Sequence, residues 1–198
     1  MKVRGSATIK AGNRGAERVN AAVHLSTETR ARARVYVREL TSRGNNLIDR
    51  IELDADPGQR LWKPTPASWS LTEVVEHLSL VANGMLRVAR PPALSPTVLH
   101  RLKLTALRAV LRSPIRFPTP VKAVVPREGA TWTDARAHLV ASGMRWSEFV
   151  EGDTFDTVGF MHPLVGRLTS HATAGFLVEH FDHHLRQVDR IFAAIRKR

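Results

Sequence analysis

At residues 179–187 the chain reads EHFDHHLRQ, which places three histidines within five positions of its last strongly helical segment. Residues four apart on an α-helix lie on one face, one turn from each other. His180 and His184 have this spacing, so their ring nitrogens can point at one ion. The stretch therefore predicts half of a metal site, with a further ligand supplied by another part of the chain.

The apolar residues around this stretch predict a final helix that begins near Thr169 or Ser170 and runs to the C-terminus. Its apolar stripe contains Leu177, Phe181, His184, Val188, Ile191 and Ile195. An unpaired imidazole is costly to bury, and a metal ion would satisfy both His184 in the stripe and His180 directly beside it. His183 lies about 100° from His184 in helical projection, so we expect it to support the site from outside or to face solvent.

The clearest helix start in the chain is the sequence WSLTEV at residues 69–74. Ser70 is placed to cap this helix while Glu73 reaches back to the backbone of the cap, and apolar residues flank the pair. We predict a helix over residues 71–90. His77 borders its apolar stripe, which makes this residue the natural third nitrogen ligand.

Three further helices are predicted from the periodicity of apolar residues, over 27–53 with a break near Gly44, over 95–112, and over 133–150. Prolines within residues 113–127 indicate a loop between the second and third long helices. Alternation typical of strands does not recur, and the sequence contains no glycine-rich nucleotide motif. We therefore predict an all-α bundle of four substantial helices and one shorter helix.

The length of 198 residues suits one domain with an extension. Residues 1–26 are basic and show no sustained period, so we expect a disordered N-terminal extension, followed by the helical domain over 27–198. Neither a secretory signal nor a run of membrane-spanning length is evident, and we expect a cytoplasmic protein without a membrane span. The chain has no cysteine, so a metal would be held by histidine, carboxylate or water.

The net charge of +12 is concentrated in two parts of the chain. Residues 1–50 contain eleven Lys and Arg against four acids, and residues 86–127 contain nine against none. A basic module that contacts nucleic acid or an anionic surface, with the bundle as scaffold, is therefore an alternative function. Nucleic acid is the less favoured partner, since no recognition helix is evident and the tryptophans lie outside the basic segments. For residues 86–127 we favour a solvated basic face over a binding site for an anionic substrate.

Three neutral imidazoles suit Zn(II), Ni(II) or Fe(II), and three protein ligands leave a coordination position open for water or substrate. This is the arrangement of catalytic rather than structural metal sites. The carboxylates Glu76, Glu179 and Asp182 are candidates to accept hydrogen bonds from the ligand rings. His162 precedes Pro163 in a loop before the last helix, and is a candidate general acid or base, or simply a loop packing residue.

Four motifs together resemble the DinB/YfiT-like superfamily of four-helix-bundle proteins. They are WxP at 62–64, WSxxEVxEHL at 69–78, HPLxGxLT at 162–169 and HxxHHxxQ at 180–187. The resemblance implies an up-down bundle whose divalent-metal ligands are one histidine of the second helix and the HxxxH pair of the last. Carried onto this chain, these are His77, His180 and His184, the residues that helical geometry also selects.

The resemblance further implies a metal-dependent hydrolase, or a thiol S-transferase that uses a low-molecular-weight thiol, acting on a small-molecule substrate. We expect Zn(II) or Ni(II) in the site, and an apolar face of such a bundle can form a homodimer. A third hypothesis is a metal that joins two helices without catalysis. The N-terminal extension and the basic segment 86–127 lie outside the motifs, and the resemblance assigns them no role.

Overall fold

Six helices and a two-stranded hairpin make up the part of the chain that the computed structural model describes, which is residues 8–92, 95–113 and 121–198. Side chains are described from residue 27 onward. In chain order the elements are α1 (Thr8–Asp54), α2 (Pro57–Leu61), α3 (Leu71–Arg87), α4 (Val98–Arg112), a 3₁₀ turn (Lys122–Val124), α5 (Trp132–Glu151), β1 (Gly159–His162), β2 (Gly166–Thr169) and α6 (Ser170–Ile195).

The four long helices α1, α3, α5 and α6 form a bundle in which α1 and α3 occupy opposite corners, each packed against both α5 and α6. Helix α6 runs parallel to α1 and antiparallel to α3, and α5 runs antiparallel to α1. The contacts that fix these directions are Arg43–Asp182, Arg50–Asp189, Arg34–Glu151, Arg136–Glu52, His77–His180 and Trp69–His184. Successive long helices therefore run in opposite directions from α1 to α3 and from α5 to α6, as in an up-down bundle. Helices α3 and α5 are parallel because the crossover through α4 returns the chain to the end where α3 begins.

Helix α3 begins at the predicted residue and with the predicted cap. The hydroxyl of Ser70 accepts the backbone N–H of Glu73 at 3.2 Å, and the Glu73 carboxylate accepts the N–H of Ser70 at 2.8 Å. This pair satisfies two of the backbone donors that a helix start leaves free. The start is functionally important because it sets the rotation of α3 and therefore the direction of His77, two turns further on.

Helix α1 begins at Thr8 and continues through Gly44 without a break. At Gly44, side-chain atoms of Leu139 and Phe181 come within 3.8 and 3.9 Å of the position that a Cβ would take. The predicted break is therefore wrong: Gly44 lies where α5 and α6 pack on α1, and this packing outweighs the low helix propensity of glycine. The prediction of a disordered extension over 1–26 falls partly outside the described residues. The backbone of 8–26 continues α1, and the division of the chain at residue 27 stays a prediction.

A β-hairpin between α5 and α6 is the main element that the sequence did not predict. Strands β1 and β2 pair antiparallel, with Gly159 opposite Thr169 and His162 opposite Gly166. Four residues are too few for an alternating pattern to stand out from the flanking loops. Gly166 has a φ of 90°, a conformation that glycine adopts without strain. The hairpin leads directly into α6, whose first turn is capped by the Thr169 hydroxyl.

Apolar side chains from the four long helices fill the core. The indole of Trp146 is fully buried there and donates its N–H to the carbonyl of Ala82 at 3.0 Å, which ties α5 to α3. The predicted all-α four-helix bundle, with the shorter helix α4 between its second and third core helices, is confirmed. Among the described helices, none is long and apolar enough to cross a membrane.

Candidate metal centre

Three histidines from two antiparallel helices meet inside the bundle. His77 comes from α3, and His180 and His184 come from successive turns of α6. The Nε2 atoms of His77 and His180 lie 3.1 Å apart, and each ring offers one nitrogen that lies within 4.8 Å of the other two. The structure thus brings together the three residues that helical spacing and the resemblance selected. We call them the histidine cluster.

Hydrogen bonds to the outer nitrogens determine which nitrogen of two of these rings faces the cluster. His77 donates Nδ1–H to the carbonyl of Val124 at 2.6 Å, and His184 donates Nδ1–H to the side-chain oxygen of Gln187 at 2.8 Å. An imidazole that carries its proton on Nδ1 presents a lone pair on Nε2. The two rings are therefore held in the tautomer that a metal ion requires, by acceptors of the kind that usually orient metal-bound histidines.

His180 completes the cluster but lacks such an acceptor. Its Nδ1 is buried and has no hydrogen-bond partner among the described residues, while its Nε2 faces that of His77. A polar atom buried without a partner is unfavourable. A cation bound to all three rings would make the Nε2 atoms of His77 and His180 ligands of the same ion. The three nitrogen donors therefore fit a divalent ion that prefers nitrogen ligands.

Burial keeps the histidine cluster uncharged. It lowers the pKa of His77 to about 4, and the hydrogen bond to Val124 opposes this shift only in part. Burial also lowers the pKa of His180 and of His184 well below the usual value, and the neighbouring rings add to the effect. Removal from water disfavours the protonated form of an imidazole. At neutral pH all three rings are therefore in the form that binds metal.

Aromatic side chains form the walls of the cluster. The ring of Trp69 lies 4.7 Å from that of His77 and 6.0 Å from that of His184, measured between centroids. Phe176 lies 5.5 Å from His180. Such walls lower the local polarity, which strengthens electrostatic interactions within the site.

Glu76 supports the cluster indirectly. This carboxylate is 1% exposed and accepts two hydrogen bonds from Arg127, one from the backbone N–H at 2.9 Å and one from Nε at 2.8 Å. These bonds hold the segment 122–127 against α3. The same segment carries the Val124 carbonyl that accepts the proton of His77. Glu76 therefore acts on the position of an acceptor rather than on the ring itself.

The other predicted supporting residues contact neighbouring helices. Glu179 forms ion pairs with Arg108 and Arg112 of α4, and Asp182 forms one with Arg43 of α1. His183 hydrogen-bonds through Nδ1 to the carbonyl of Leu111 at 3.0 Å. Their described polar contacts thus fasten α1 and α4 to the outside of α6. Their predicted role in orienting the ligand rings gains no support from these contacts.

His162 lies at the end of β1 and is nearly buried. Its Nδ1 accepts the backbone N–H groups of Leu164 and Val165 at 3.2 and 3.3 Å, so the ring carries its proton on Nε2. Burial lowers the pKa of His162 to about 4. The ring packs edge-on against Phe176 at 4.9 Å, and Phe176 in turn contacts His180. The catalytic role of His162 stays a prediction.

Three contacts of the cluster were not assigned from the sequence. Gln187 lies three residues after His184, and this i, i+3 spacing is a signal that could have identified the acceptor. Trp69 precedes the cap of α3 and was interpreted only as part of the helix start. The Val124 carbonyl belongs to the backbone, and no residue pattern identifies such an acceptor.

The protein belongs to the class of four-helix bundles that carry a cluster of three neutral, largely buried histidines, which could hold a metal. The sequence pattern of the DinB superfamily matches residues 27–188, and the chain belongs to this superfamily. The predicted resemblance is therefore confirmed. A comparison with curated proteins found no match.

Two solved structures are similar to this chain. One is YfiT from Bacillus subtilis, described as a probable metal-dependent hydrolase with an unusual four-helix bundle topology. It is 17% identical, with coverage of 96% of this chain and 91% of that chain and a TM-score of 0.46. The other is TT2238, described as a four-helix bundle protein. It is 20% identical, with coverage of 78% of this chain and 96% of that chain and a TM-score of 0.41.

Proposed function

We propose that the protein binds a divalent metal, Zn(II) or Ni(II), through His77, His180 and His184. We further propose that it acts on a small-molecule substrate as a hydrolase or as a thiol S-transferase. The observation that carries the proposal is the meeting of three uncharged imidazoles, two buried and one half-buried, of which two are held in the metal-binding tautomer. A structural role alone would not need three uncharged imidazoles whose nitrogens meet within an apolar bundle.

A bound metal would supply a Lewis acid that polarises an oxygen or sulfur ligand. The chain's own residues prepare the site for this. The Val124 carbonyl and Gln187 hold two rings in place, and Trp69 and Phe176 shield the site from bulk water. His162 is uncharged at neutral pH and carries its proton on Nε2, from which it could donate a hydrogen bond to a substrate or leaving group.

Metal analysis of the untagged protein tests the ligand assignment. We expect about one equivalent of metal in the wild type and a loss of that metal in each of His77→Ala, His180→Ala and His184→Ala. His138→Ala, on the exposed surface of α5, is the control and should retain the metal. Unchanged metal content in His184→Ala would contradict the assignment.

Turnover assays distinguish the two proposed reactions. The metal-loaded protein is offered ester and amide substrates without thiol, and electrophilic substrates with a low-molecular-weight thiol. Turnover that needs the thiol supports a transferase, and turnover without it supports a hydrolase. If chelation lowers the melting temperature while neither reaction is detectable, the third hypothesis, a metal that only joins α3 to α6, replaces catalysis.

A further inference from the structure

We propose that the outward face of α4 docks on an anionic membrane surface. This inference concerns a different part of the molecule from the histidine cluster and does not depend on metal binding. It uses the basic segment 86–127, to which the proposed function gives no role. Three features carry it: the fixed orientation of α4, the apolar side chains on its outer face, and the cations along its edges.

The orientation of α4 is fixed from its inner side. Leu104 and Leu111 are buried against the rest of the protein. The carbonyl of Leu111 accepts hydrogen bonds from His183 and Arg186 of α6. Glu179 of α6 adds ion pairs to two arginines of α4. The opposite face of α4 is therefore held toward solvent.

That outer face is apolar where surface helices are usually polar. The side chains of Val98, Leu99 and Leu102 are 71%, 57% and 62% exposed. Residues three and four apart on a helix are neighbours, so Leu102 lies beside both of the others. Exposed Ala106 and Ala109 continue the same face along the helix. The helix thus presents an apolar strip outward in addition to the buried side that packs on α6.

The hairpin beside α4 also carries exposed apolar residues. Strand β2 packs against α4, with Gly166 lying close to the ring of His100. In the same hairpin, Leu164 and Met161 are about half exposed. A contiguous apolar patch on a protein surface marks a site of interaction with another apolar surface.

Cations flank the strip on both sides. In helical projection Arg101 lies along one edge, followed by Arg112, which is paired with Glu179, and Lys103 lies along the other edge. All three are exposed, and segment 86–127 contains no acidic residue. An apolar strip between two basic edges is typical of helices that lie in the interface of a membrane, with the apolar residues among the acyl chains and the cations at anionic headgroups.

The charges also indicate which kind of partner binds the outer face of α4. A second copy of the chain on this face would bring two basic edges together, which like-charge repulsion disfavours. Nucleic acid would neutralise the cations but would leave Leu99 and Leu102 exposed to water. An anionic lipid surface satisfies both the cations and the leucines, so it is the occupant that we assign.

Vesicle sedimentation tests the proposal with the full-length protein. We expect binding to vesicles of phosphatidylcholine mixed with phosphatidylglycerol, little binding to phosphatidylcholine alone, and weakening as salt rises. Leu99→Asn with Leu102→Asn should weaken binding roughly tenfold or more. The matched control replaces Leu53 and Leu61, exposed leucines outside α4, with asparagine and should bind as the wild type does.

Vesicle sedimentation also tests the contribution of the cations of α4 to binding. Arg101→Gln with Lys103→Gln should weaken binding roughly tenfold, whereas Arg38→Gln with Lys197→Gln, which removes the same charge from other exposed positions, should have a smaller effect. Equal loss in the two double variants would overturn the assignment to α4, since binding would then follow net charge alone. Circular dichroism of each variant confirms that it is folded.

A single fluorescent label reports which part of the molecule enters the lipid. Because the chain has no cysteine, Leu102→Cys and Leu53→Cys can each carry one environment-sensitive dye. We expect a blue shift on phosphatidylglycerol vesicles for the dye at 102 and none for the dye at 53. Absence of a shift at 102, or tight binding to a DNA duplex with none to vesicles, would overturn the proposal.

Discussion

Polar side chains on two sides of helix α6 have opposite environments. On the side that faces α3, His180 and His184 are removed from water and held uncharged beside His77. On the side that faces α4, Glu179 and His183 fasten a helix whose outer edges carry exposed cations. The comparison indicates that the face of α6 on which a histidine lies, rather than residue type, decides which histidines meet His77. His183 and His184 are adjacent, yet only His184 joins the cluster.

The largest expected effect is the loss of a ligand from the buried side. His184→Ala should lower the affinity for Zn(II) by more than roughly a hundredfold, because even changes to groups around metal ligands cost ten- to a hundredfold. Competition with a coloured chelator measures this affinity. His183→Ala is the matched control one residue away, and an equal loss in both variants would contradict the distinction between the two sides of α6.

The next largest expected effect is the loss of stability of the metal-free protein in acid. His77 and His162 have pKa values of about 4 in the folded protein against 6.5 in the absence of burial. The unfolded chain therefore binds more protons between these values, and the free energy of unfolding should fall as pH drops from 6.5 to 4. Each of these two rings should lower the free energy of unfolding by about 3 kcal/mol once the pH is below 4.

Urea denaturation at a series of pH values measures this slope. The variant His162→Asn should have a shallower slope than the wild type, since one of the rings with a lowered pKa is absent. His138→Asn, on the exposed surface of α5, should leave the slope unchanged. A profile of His162→Asn that runs parallel to that of the wild type would contradict the burial of this ring.

A smaller effect is expected at Glu76. Glu76→Gln weakens the hold on Arg127 and thereby on the Val124 carbonyl that orients His77. The affinity for Co(II) should fall about tenfold, with a change in the visible spectrum of the bound ion. Glu179→Gln removes a carboxylate that faces α4 and should leave that spectrum unchanged. If both variants behave alike, Glu76 has no specific positioning role.

The smallest effect is expected from the ion pairs on the outer side. Glu179→Gln removes a partner of Arg108 and Arg112, of which Arg112 is largely exposed. Pairs of this kind contribute roughly 0 to 1 kcal/mol each, so the free energy of unfolding should change by about 1 kcal/mol or less. Chemical denaturation checks this value. A loss several times larger would mean that the attachment of α4 is a main determinant of stability.

The sequence predicted the parts of the structure that depend on helical periodicity. The start of α3 at Leu71 follows from the Ser70 and Glu73 cap, and the preference for His184 over His183 follows from the apolar stripe of α6. Both the bundle and the meeting of three histidines could be expected from these patterns. They are local patterns of residue type, which the sequence displays directly.

The remaining features depend on contacts that no local pattern records. Gly44 was predicted to break α1, but the helix continues there, where Leu139 and Phe181 of two other helices pack against it. The hairpin strands were too short to be recognised. The acceptor of His77 is a backbone carbonyl brought in by the ion pair between Glu76 and Arg127, two residues far apart in the chain.

X-ray absorption spectroscopy of the zinc-loaded protein tests the central claim most directly, because it reports which atoms surround the metal. We predict three imidazole nitrogens at about 2.0 to 2.1 Å. The count should fall to two in His77→Ala and remain at three in His138→Ala. A wild-type spectrum with fewer than three imidazoles, or one that His77→Ala leaves unchanged, would contradict a metal site formed by α3 and α6.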